Sequence, residues 1–91
     1  MIKLWVKLHK GERLVKNIIH KFELEDGTDY INADDFYKQI QKICEGLDIA
    51  TPVVLSAHFN NFQLFNFCEF KKTDFVDEFK FTKMVVSIAR E

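Results

Sequence analysis

Five side chains in this chain have the chemistry to hold a metal ion or to start a nucleophilic reaction: His9, His20, His58, Cys44 and Cys68. No two stand at a close ligand spacing such as CxxC or HxxxH, so the spacing predicts no metal site. The acidic run ELEDGTDYINADD, residues 23–35, has the density of a calcium loop. Placing Gly27 at the loop's sixth position puts Phe22 first and Leu24 third, where oxygen ligands are required, so the match fails. These acids read as a solvated turn followed by carboxylates at a helix start.

Catalytic chemistry has as little support. A cysteine nucleophile needs a neighbouring base and an electropositive setting. Cys44 falls on the apolar stripe of a helix, and Cys68 stands between Phe67 and Glu69. Ser56 and Ser87 have no hydrolase motif around them. Asp34, Asp35, Asp74, Asp77 and Glu78 read as surface carboxylates. The sequence therefore predicts no catalytic residue, no cofactor and no metal, and a domain that acts without catalysis.

Aromatic and basic residues are the other source of chemistry. HFNNFQLFNFCEF, residues 58–70, holds five phenylalanines. Aromatics interleaved with basic residues bind bases and phosphates. This run has Lys71 and Lys72 only at its end, and it lacks the aromatic-glycine pattern of RNA-recognition sheets. Its spacing is helical up to Phe65 and strand-like from Phe65 to Phe67, as expected of a helix and a strand entering one core. Trp5 differs. It shares the odd face of the first strand with Lys3, Lys7 and His9. That placement predicts a partly exposed Trp, either anchoring a partner or packing across the hairpin on Val15 or Ile19.

The elements that position these residues begin with alternation. Ile2, Leu4, Val6 and Leu8 alternate with Lys3, Trp5, Lys7 and His9, which predicts a strand with one wet face. Lys10-Gly11-Glu12 supplies a turn in which Gly takes positive φ. RLVKNIIHKFEL then predicts a second strand, with Leu14, Ile18 and Phe22 on one face and Val15 and Ile19 on the other. EDGTDY, residues 25–30, is a polar turn. Asn32 is placed to cap a helix whose buried stripe is Phe36, Ile40, Ile43 and Leu47, widened by Tyr37 and Cys44 and ended by Gly46. Thr51-Pro52 and the residues after it predict an extended approach and a short helix around 53–64, with His58, Phe59, Phe62 and Phe65 along one side. A short strand over 68–72, a turn over 74–78 and a final strand over 79–89 complete the chain.

The order predicts a single small α+β domain over residues 1–91: an N-terminal β-hairpin, one main helix plus a short second helix, and two C-terminal strands. The sheet is expected to be mainly antiparallel, with the helices on one face. Gly and Pro number three and one, which leaves no room for a linker. Net charge is −1, but residues 1–22 carry six cations against Glu12, while residues 23–50 carry eight acids against two lysines. A chain of this balance needs strong segregation of charge to bind a polyanion. Two cysteines are too few for a disulfide framework, and the N-terminal alternation is not that of a secretory leader. No apolar run approaches the ~20 residues that span a bilayer. These features predict a cytoplasmic protein.

LDIATPVVL, the Phe-spaced HFNNFQLF and the closing TDFVDEFKF together resemble a group of small uncharacterised bacterial proteins of similar length. Those chains also open with a hairpin and close with an Asp-Phe step before a last strand. The resemblance implies the fold and carries no function.

Three functional expectations follow. The leading one is a domain acting through protein contacts, as a homodimer or with another protein, with Trp5, Val15 and Ile19 at the contact. The alternative is a nucleic-acid-binding protein whose basic hairpin places Lys3, Lys7, Lys10, Arg13, Lys16 and Lys21 on phosphates. A small-molecule site between helix and sheet, near His58, is the third.

Overall fold

Alternation does build the first two strands. A computed structural model describes residues 2–24 and 31–89. In it β1 (Ile2–Lys10) and β2 (Arg13–Phe22) pair antiparallel around a turn in which Gly11 sits at φ 65°. The turn is fastened to Thr82, just before the last strand. The Gly11 N–H donates to Thr82 Oγ1 at 2.7 Å, and the Thr82 N–H donates to the His9 carbonyl at 2.7 Å.

Helix α1 (Ala33–Leu47) starts as its sequence dictates. The Asn32 side chain accepts the Asp35 N–H at 2.8 Å, and Asp34 and Asp35 occupy the first turn. Its buried face is Phe36, Gln39, Ile40, Ile43 and Cys44, with Leu47 at the margin. Tyr37 is exposed rather than part of that stripe, and Gln39 takes the inward place because its Oε1 meets His20 Nε2 of β2 at 2.8 Å. Gly46 does not end the helix. The chain turns one step past Leu47, at Asp48, which adopts the left-handed conformation that Asp tolerates, at φ 56°.

Residues 51–55 form neither helix nor strand, and α2 (Ser56–Phe65) begins later than the expected 53. The β-branched Val53 and Val54 suit the extended approach. Asn66 closes α2 in a left-handed conformation, and β3 (Phe67–Lys71) follows at once. A 3-10 turn spans Lys72–Asp74. The last strand, β4 (Lys83–Ile88), is shorter than the expected 79–89 because Phe79 and Phe81 pack as an irregular lead-in. The Phe75 and Phe79 rings stack at 3.7 Å between centroids, both buried.

The four strands form one antiparallel sheet in the order β2-β1-β4-β3. Both helices cover one face, giving the α+β architecture expected from the sequence. Beneath them Val6, Val86 and Cys68 form one cross-strand row, and Leu8, Met84 and Phe70 form the next. Phe36 of α1 packs at 4.7 Å from Phe62 of α2, both buried. A core this rich in aromatic area suits a chain too short to bury much else.

The five phenylalanines of residues 58–70 divide by face. Phe62 and Phe70 are buried, Phe59 is partly so, and Phe65 and Phe67 are exposed. Reading the whole run as core is correct for its first part and for Phe70, but not for these two. The polar turn at 25–30 lies outside the described residues.

Candidate functional site

Strand geometry assigns the second face of the sheet. Leu4, Val6 and Leu8 point into the core, so Lys3, Trp5, Lys7 and His9 point away from the helices. Residues directly opposite one another on neighbouring strands share a face. The register therefore writes out the open face row by row. Lys21 and Lys3 stand opposite each other on β2 and β1. Next come Ile19, Trp5, Ser87 and Phe67, one from each strand. Then come Asn17, Lys7, Val85 and Glu69, and after them Leu14, His9, Lys83 and Lys71.

A bulge in β2 sets the last row. The register slips between Leu8 and His9, so Lys16 lies opposite Leu8 and Leu14 lies opposite His9. Val15 is the extra residue. This corrects the expected faces: Leu14 joins the open side, while Ile18 and Phe22 pack towards the core. Trp5 stands directly opposite Ile19 across the hairpin, not opposite Val15.

The second row is apolar except for Ser87, and its large side chains are accessible. Trp5 is 39% exposed, Ile19 47% and Phe67 47%. Phe65, at the end of α2, is also exposed, its ring 6.5 Å from that of Phe67. Lys7 lies over the indole, with Nζ 3.8 Å from the centroid of the Trp5 ring. That is a cation–π contact at a surface site.

Charge on this face is one-sided. Within the paired rows stand five lysines, Lys3, Lys7, Lys21, Lys71 and Lys83, against Glu69 alone. Two of these contacts are like-charge pairs placed directly opposite, Lys3 with Lys21 and Lys71 with Lys83. Such pairs destabilise a sheet. The helical layer leans the other way: α1 and its cap carry Asp34, Asp35, Glu45 and Asp48 against Lys38 and Lys42. The segregation that the net charge hides is therefore a segregation between faces.

Of the six cations expected on phosphates, Lys3, Lys7 and Lys21 share the open face. Lys10 and Arg13 are exposed at the hairpin end, and Lys16 belongs to the opposite register. The surface is thus not the hairpin alone. Lys71, Lys83, Phe65 and Phe67 complete it from the C-terminal half, and nothing local in the sequence points to them as partners of Trp5.

His58 and Asp74 are the other constellation with catalytic residue types. His58 Nδ1 accepts the Leu55 N–H at 2.9 Å, so the neutral ring carries its proton on Nε2 and donates it to Asp74 Oδ2 at 3.3 Å. The same carboxylate oxygen accepts the Lys71 N–H at 2.8 Å, and the Asp74 carbonyl accepts the Val53 N–H at 2.8 Å. The imidazole lies 4.5 Å from the Phe70 ring. Leu55 has no side-chain acceptor to cap α2, and the His58 ring instead satisfies the N–H of Leu55 itself. Both ring nitrogens are engaged, so the pair locks two turns together.

A groove of about 340 Å³ runs between the first turns of α1 and α2, with Asp34, Tyr37, Ser56 and Phe59 on its walls. It lies between the helices rather than between helix and sheet, and His58 does not line it. Burial pushes the Cys44 thiol up to about 11 and the Cys68 thiol up to about 12, the reverse of what a nucleophile needs. Both thiols are free and buried. Among the described residues no group of three His, Cys, Asp or Glu side chains could hold a metal ion, and no helix is long and apolar enough to cross a membrane. No protein family, no curated protein and no solved structure matches the chain.

Proposed function

We propose that the open face of the sheet binds nucleic acid, and that the chain acts by binding rather than by catalysis, in the cytoplasm. One observation carries this reading. The accessible aromatic row is flanked by lysines, and one pair of them, Lys71 and Lys83, stands directly opposite across β3 and β4 at a cost to the fold. A polyanion laid across the face removes that repulsion. Lys3 and Lys21 lie on one side of the row; Lys7, Lys71 and Lys83 lie on the other. The free thiols Cys44 and Cys68 fit a reducing compartment.

The test is binding of labelled oligonucleotides at several salt concentrations. Affinity should fall linearly on a double-logarithmic plot as counterions are released, with a slope near −0.7 to −0.9 per phosphate contact. No binding of single or double strands at low salt removes the reading.

Contact with another protein, a second copy included, is the second reading. It is favoured by the exposed apolar residues Ile19, Trp5 and Phe67 of one row, since Trp is a frequent anchor of interfaces. Val15, in the bulge, stands apart from that row. Two cationic faces repel, which weighs against a symmetric face-to-face dimer. Sedimentation across a dilution series decides: Trp5→Ala should weaken self-association, and a monomer at every concentration for both chains removes the dimer.

A further inference from the structure

The two kinds of nucleic acid place different demands on such a surface. A duplex presents phosphates and groove edges, and its base faces are already stacked inside. Exposed aromatic faces add nothing to the binding of an intact duplex. A single strand presents unstacked bases, and aromatic side chains take them at little cost in sequence preference. The open face here is built around aromatics. Trp5 and Phe67 lie in one row with β4 between them, about 10 Å apart at ordinary strand spacing. The residue between them is Ser87, small enough to leave a floor between the two rings. The exposed ring of Phe65 lies 6.5 Å from that of Phe67.

We infer that the ligand is single-stranded, with one base stacked on Trp5 and another on Phe67. This rests on the nucleic-acid reading above and narrows it. Lys7 gives the site a second feature. Its ammonium occupies the indole face at 3.8 Å. A base arriving there displaces a cation on a flexible stem, and that cation then has a phosphate to meet. The alternating rows place lysines about 7 Å from the aromatic row along the strands, on Lys3 to one side and Lys7 to the other. A backbone running across the strands can thus be held from both sides while its bases face the sheet.

Trp5 is the chain's single tryptophan, so its fluorescence reports on this position alone. The experiment titrates the full chain with oligothymidylate and with a duplex of equal length, reading binding by anisotropy of a label and stacking by quenching of Trp5. Single strands should bind more tightly than the duplex and quench the indole. Trp5→Leu should weaken single-strand binding by roughly ten- to a hundredfold, the range of one base–aromatic stack, and leave the salt slope unchanged. Duplex binding as tight as single-strand binding, with no quenching, overturns the inference and leaves the nucleic-acid surface standing. Trp5→Leu binding like the parent chain, with its fold confirmed by circular dichroism, overturns the inference as well. Absence of binding to either form overturns both.

Discussion

Asp74 and His58 hold between them the Lys71 N–H, the Leu55 N–H and each other; the two bonds of the His58 ring are part-buried, and the Lys71 bond is exposed. Removing the ring takes the acceptor from the Leu55 N–H and leaves the Asp74 carboxylate with the Lys71 N–H alone of its two donors. His58→Ala should therefore lower stability by about 1–3 kcal/mol, the cost of leaving such a donor unpaired, with the ring's contact on Phe70 lost in addition. Urea denaturation measures it, and an unchanged midpoint would show that water replaces the ring without loss. The two thiols make a pH prediction. Burial raises Cys44 to about 11 and Cys68 to about 12 from an ordinary value of 9.0, because the core favours the neutral form. Groups with raised values bind protons more tightly in the folded state. Their contribution is complete below pH 9 and is lost as pH rises through 9 towards 11 and 12. The denaturation midpoint should fall over that window, and fall less steeply in the Cys44→Ala/Cys68→Ala chain. Equal slopes for the two chains would rule the thiols out as its cause.

Elements differed in how far they could be read ahead of the structure. The hairpin was legible because Ile2 to His9 alternate strictly and Gly11 marks the turn. Helix α1 was legible because Asn32 and Asp35 form its cap and Phe36, Ile40 and Ile43 recur at helical spacing. What failed were features decided by a second element. Gly46 has space around it and no positive φ, so α1 runs through it and stops where Asp48 can turn. The bulge at Val15 flips Leu14 to the open face, a change that alternation in a β-branched run does not display. The candidate site divides along the same line. Trp5, Ile19, Lys3, Lys7 and Lys21 come from one hairpin and could be grouped by period alone. Phe67, Lys71 and Lys83 join them only because β4 inserts between β1 and β3, with Cys68 and Phe70 claiming the inner side of β3. Pairings between distant segments leave no local trace, and the face that a short strand presents depends on which of its residues the core accepts.

At the scale of the whole molecule, the near-zero net charge conceals a basic sheet face behind an acidic helical layer. Natural sheets avoid like charges directly opposite each other, because the pair opposes its own strand contact. Lys71 and Lys83 sit in that arrangement on β3 and β4, with His9 beyond. If the face holds phosphates, these lysines trade stability for binding, as sites of function commonly do. Neutralising both should move the two properties in opposite directions. Lys71→Gln/Lys83→Gln should raise stability by about 0.2–1 kcal/mol, the size of a cross-strand pair. The same chain should bind single strands more weakly, with a salt slope shallower by about 1.4 if each lysine meets one phosphate. The two measurements are independent, and each can contradict the trade. A less stable double variant would mean that the lysines support the sheet through their stems. An unaltered salt slope would mean that the strand crosses elsewhere, and would confine phosphate contact to Lys3, Lys7 and Lys21 on the hairpin.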